Sequence, residues 1–152
     1  LITYGEIKLK TSDSLETRAD LFYSIMEQLE ENHDIKHIFI EQPFIAFSGG
    51  KTTAVTMAKL QRFNGMCSYC VRLLFGFPAT LIQANKARGL VGLKVKRGEK
   101  TKLKVIEWVE AKYPENFIVE YTRHGNPKPG TDDKADAIVI ANAGLKLNQE
   151  NT

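Results

Sequence analysis

The feature that most constrains this chain is a short apolar run, residues 35–40, which stops at Glu41-Gln42-Pro43 between two long stretches of helical periodicity. A run of that length, closed by a proline, reads as a buried central strand whose C-terminal end opens into a loop. Ahead of it, Leu15, Ala19, Phe22, Ile25, Met26 and Leu29 recur at helical spacing. Ser12, Asp13 and Ser14 offer caps with Glu16 and Thr17 behind them, so a helix of about five turns is predicted. Behind the run, about residues 52–75 carry Val55, Met57, Ala58, Leu60, Phe63, Met66, Cys67, Cys70, Val71 and Leu74. Apolar residues on more than one face suit a helix buried against both its own sheet and a partner, hence a dimer interface. Helices alternating with short strands make an α/β domain.

The remaining segments extend that pattern. Residues 1–10 mix β-branched, aromatic and polar residues without a helical stripe and read as a strand, and residues 79–82, after Pro78, read as another. A helix over about residues 99–112 carries the stripe Leu103, Ile106 and Val109, with Trp108 assigned to the core. Residues 116–121 read as a strand or an extended link. Two prolines and two glycines make residues 123–131 a loop, in which His124 is a base, a ligand or simply solvated. A last helix is predicted over residues 135–147. Ser48-Gly49-Gly50-Lys51-Thr52-Thr53 lacks the spacing of a phosphate-binding loop and is read as punctuation before a helix. With 152 residues, a single domain spanning 1–152 is expected.

Charge is distributed unevenly. The whole chain has a formal net charge of only +3, yet residues 86–104 hold eight basic side chains against Glu99 alone, a local net of +7. Lys86, Arg88, Lys94, Lys96, Arg97, Lys100, Lys102 and Lys104 together make a field that attracts polyanions, nucleic acid above all, or a solvated lysine-rich face. Hydrophobic residues at 43% and charged residues at 26% exclude a disordered or fibrous chain. Cys67 and Cys70 lie one helical turn apart inside an apolar pattern, with no second pair or histidine to complete a zinc site. They read as reduced core residues, in keeping with a cytoplasmic protein. No apolar stretch is long enough to span a bilayer, so no membrane partner is expected.

The chemistry is expected from carboxylates. Asp133-Lys134-Ala135-Asp136 is an i, i+3 pair, so both acids project from one side of a helical turn and repel unless a cation neutralises them. Glu41 adds a third carboxylate at the end of the expected buried strand, where an unpaired charge is expensive. Three oxygen donors without histidine or thiolate suit a hard ion, Mg²⁺ or Mn²⁺. Asp132, by contrast, has an innocent explanation as an acid complementing a helix N-terminus.

Ile40-Glu41-Gln42-Pro43-Phe44 and Asp133-Lys134-Ala135-Asp136-Ala137, with Glu99-Lys100 before the basic helix, occur in an order of elements that resembles the RuvC family of Holliday junction resolvases, most closely its bacteriophage members. The similarity runs over essentially the whole chain. It implies a ribonuclease H-like fold, a mixed five-stranded sheet between helices. It also implies a homodimeric, metal-dependent endonuclease in the bacterial host's cytoplasm that acts on branched DNA, four-way junctions or forks, leaving 5′ phosphates and 3′ hydroxyls. Glu41, Asp133 and Asp136 then hold Mg²⁺, with Mn²⁺ as the alternative ion. Lys100 assists at the scissile phosphate, Phe44 contacts a base near the crossover, and Lys86 or Arg88 stands for a further family lysine. Lys94, Lys96, Arg97 and Lys102 complete the expected DNA contacts. The family's first catalytic aspartate lies on its first strand, whereas residues 1–10 correspond to the third. Either an upstream segment carries that aspartate, or the chain as it stands builds an incomplete metal site. The alternatives are a branched-DNA binding module without cleavage, another ribonuclease H-like nuclease, and an α/β domain with an acidic helix cap and a lysine-rich surface.

Overall fold

A computed structural model describes residues 1–43 and 53–150. The chain is mixed α/β, and its elements fall into two compact units, Ile7–Gln83 and Leu1–Glu6 with Ala84–Thr152.

The first unit is built on helix α1 (Leu15–Asn32), strand β1 (Phe39–Glu41), helix α2 (Ala54–Phe75) and strand β2 (Thr80–Ile82). Of the three candidate caps, Ser14 is the one used: its hydroxyl accepts from Thr17 N at 3.1 Å, satisfying an otherwise orphaned amide. Thr53 does the same for α2 through Thr56 N at 3.2 Å, and Gly76, with φ of 73°, ends that helix in a conformation that costs glycine little. The two strands pair in parallel, Phe39 with Thr80, Ile40 with Leu81 and Glu41 with Ile82, across the α2 connection. Such a pairing needs a crossover of this length. Packing of α1 on α2 buries Ala19, Cys67, Cys70 and Val71, and Ile82 is buried as well. Both cysteines are free and sit in the core as expected; burial, with Cys70 adjacent, pushes the Cys67 thiol up to about 11.

Two expectations for this region change. The strand expected over residues 35–40 is shorter and later, and it is half-buried with Glu41 exposed at its end. A strand persists only as far as its partner does. β2 is three residues long, beginning just after Pro78 and ending just before the next helix, and among the described residues β1 pairs with no other strand. Residues 1–10 form no strand either. Tyr4, in the second unit, accepts a hydrogen bond from Ile118 N at 3.3 Å and packs on Phe117.

The second unit packs helix α3 (Ala84–Leu90) and helix α4 (Thr101–Lys112) on helix α5 (Thr131–Glu150). Ala87, Val105, Ile106, Val109, Ala135, Ile138, Val139 and Ala143 form the buried interior. Tyr113 locks α4 to α5 through a 2.9 Å bond to Asn142 Oδ1. Trp108 is half-buried rather than core, with the Lys112 ammonium 5.5 Å above its ring. Helix α3 falls inside the glycine-interrupted basic segment, where no helix was expected. Gly92 N bonds Gly89 O at 3.0 Å and Leu93 N bonds Arg88 O at 2.9 Å, so Gly92, at φ of 76°, closes the helix and turns the buried Leu93 inward. Helix α5 begins four residues before the expected start. Gly130, at φ of 85°, sets the turn, and Lys134 N already bonds Gly130 O at 3.1 Å. Asp132 and Asp133 in the first turn favour that early start through the helix dipole.

No helix among the described residues is long and apolar enough to cross a membrane.

Candidate functional site

The second unit brings the acidic turn and the basic segment together. Asp132, Asp133 and Asp136 stand on the first two turns of α5, with Arg88 of α3 and Lys102 of α4 within electrostatic reach of Asp136. Asp133 is exposed and Asp136 half-buried. Burial pushes the Asp136 carboxyl above its ordinary value; Arg88 opposes that shift, Asp132 and Asp133 reinforce it, and Lys102 opposes it. Asp132 is different. Its carboxylate accepts a hydrogen bond from Lys102 Nζ, which holds it below the usual range and raises the lysine in turn. Asp132 therefore has a structural partner, as its assignment to a helix cap allowed, and Lys102 is engaged by it.

The other cations divide sharply by partner. Lys104 pairs with Glu107 at 2.7 Å and approaches Glu99 at 3.9 Å. Arg88 donates to Asn85 Oδ1. Lys86, Lys94, Lys96, Arg97 and Lys100 are all exposed and enter no ion pair among the described residues. Lys100 occupies the N-cap of α4 without a side-chain capping bond. Lys96 and Arg97 ride on a tight turn: Glu99 N bonds Lys96 O at 3.1 Å, Lys96 N donates to the Glu99 carboxylate at 2.7 Å, and Gly98 takes φ of 91°. The only acid of the basic segment thus holds backbone as well as charge, and the turn presents its cations outward.

Glu41 belongs to the first unit. It ends β1, its carbonyl accepts from Asn64 Nδ2 at 2.9 Å, and Gln42 N bonds Ile82 O at 2.9 Å. Its exposure removes the burial cost expected for that carboxylate. Phe44 and Ser48 to Thr52 lie outside the described residues.

The donor chemistry of Asp133 and Asp136 fits a hard cation: two carboxylates share one helical turn, and burial and like charge disfavour ionisation of one of them. Among the described residues no group of three or more His, Cys, Asp or Glu able to hold a metal ion is found.

Comparison with family models, with characterised proteins and with solved structures finds no match.

Proposed function

We propose that this chain is a structure-selective DNA endonuclease of the RuvC kind, with a ribonuclease H-like fold, acting as a homodimer on four-way junctions and related branched DNA. The observation that carries the reading is the presence, on one compact unit, of the Asp133 and Asp136 turn and of exposed cations that enter no ion pair among the described residues. Lys86, Lys94, Lys96 and Arg97 hold phosphates, and Lys100 stands at the one to be cleaved. Asp133 and Asp136 are the residues of this unit that hold Mg²⁺ or Mn²⁺. When bound, the ion supplies Lewis acidity for phosphodiester hydrolysis. Val55, Tyr69 and Leu73, exposed on α2, support a second copy as the partner of that helix.

The count of gathered donors favours a second reading, a branched-DNA binding module without cleavage. Incubation with a synthetic four-way junction and Mg²⁺ separates the two. Symmetric nicks support the nuclease, binding without nicks supports the module, and no preference for the junction over linear duplex refutes both.

A further inference from the structure

Residues 120–128, which span the end of the strand or extended link expected over 116–121 and the start of the loop expected over 123–131, form a short β-hairpin on the second unit. Lys128 N bonds Glu120 O at 2.8 Å, Thr122 N bonds Asn126 O at 2.8 Å, and Gly125 N bonds Thr122 O at 3.0 Å. Tyr121 and Pro127 lie opposite each other in an antiparallel bridge, and an ion pair of 2.9 Å between Lys128 and Glu120 closes the base. Arg123, His124 and Gly125 make the connection, with Gly125 at φ of 75°. That is the three-residue hairpin loop in which a left-handed glycine follows a type I turn. Pro127 is tolerated because its missing N–H faces a position in the pair that exchanges no backbone bonds.

The contents of this hairpin are unusual for a connection whose only task is to join α4 to α5. The base is electrically neutral, since Glu120 and Lys128 satisfy each other, so the charge is concentrated at the tip in Arg123. The Arg123 Nε donates to His124 Nε2 at 3.0 Å, and no other described atom bonds the guanidinium, which leaves both Nη groups for an anion. Tyr121 is 53% exposed and stands two residues before Arg123 in the chain. An exposed aromatic next to an arginine fork fits a nucleotide, whose base stacks while its phosphate takes paired N–H donors. The segment after the tip leads through a turn into α5 and the Asp133 and Asp136 turn.

Building on the proposed function, we propose that this hairpin is a nucleic-acid arm, with Tyr121 stacking on an unpaired base at the branch point and Arg123 gripping the adjoining phosphate. The arm contributes structure selectivity, because an intact duplex offers no unstacked base to Tyr121 whereas phosphates are present on every DNA.

The test uses the full chain, a four-way junction with 2-aminopurine at its centre, and a linear duplex of the same sequence. Tyr121→Ala is expected to weaken junction binding about fivefold or more, to leave duplex binding unchanged and to abolish the 2-aminopurine fluorescence change, while Tyr121→Phe restores all three. Arg123→Ala is expected to weaken both DNAs alike and to lower the salt slope by about one. Normal junction preference and an unaltered fluorescence change in Tyr121→Ala overturn the arm while leaving the nuclease reading intact. Failure of the wild-type chain to prefer the junction overturns the proposed function itself, and the arm with it.

Discussion

The division between free and paired cations can be converted into a salt dependence. If Lys86, Lys94, Lys96, Arg97 and Lys100 each neutralise one phosphate, these five together contribute about −4.5 to the log–log slope of the association constant against salt concentration, about 0.9 for each cation on duplex DNA. From 50 to 200 mM salt that is a loss of affinity of about 500-fold. Lys96→Ala with Arg97→Ala, both on the exposed turn, should make the slope shallower by about 1.8. Lys102→Ala should change it far less, because that ammonium is already committed to Asp132 and releases few counterions on binding. Fluorescence anisotropy of a labelled junction, titrated at four or more salt concentrations, reads each slope. A wild-type slope shallower than about −2, or equal slope changes in the Lys102 variant and the turn variant, would refute the argument that local pairing selects the DNA-binding cations.

The other predictions concern the carboxylates and the core. Glu41→Gln and Asp136→Asn should each abolish junction nicking in gel assays with little change in junction affinity; loss of affinity in either argues against a purely catalytic role. Asp136 has a folded-state value above its unfolded one, so its charge disfavours folding at neutral pH and the loss is relieved as pH falls through the raised value. Asp136→Asn should then be more stable than wild type to urea at pH 7, with the difference narrowing in acid. Asp132 is shifted downward, and its stabilisation, present above the unfolded value, is lost as pH falls through the folded one. Asp132→Asn should consequently be the less stable protein at pH 7, and identical signs for the two substitutions would contradict the assignment of their partners. With its thiol near 11, Cys67 holds only about one thiolate in a thousand at pH 8, so iodoacetamide should label it slowly in the folded chain and rapidly in urea. Equal labelling rates in the two states would show that this helix face is open.

The helices and their caps were legible from sequence because they depend on residues a few positions apart. Ser14 before the stripe that begins at Leu15, and Asp133 with Asp136 on one turn, are local consequences of helical geometry. The cation-rich segment was equally plain, as charge is additive along a chain. Strand extent was not, since it is set by a partner: β1 is limited by the three residues of β2, and residues 1–10 have strand composition but pair with no strand among the described residues. Helix α3 was hidden because Gly89 and Gly92 look like interruptions, whereas Gly92 is its terminus. The hairpin over residues 120–128 was hidden because its two strands are too short to show a period. At the candidate site, the amino-acid order placed the acids on a turn. Only the packing of α3 and α4 on α5 decided that Asp132 is paired with Lys102, that Asp136 is half-buried near Arg88, and that five cations remain outward for an anion. The physical reason is range: capping and periodicity act within a few residues, while pairing, burial and charge neutralisation depend on which distant segments the fold brings into contact.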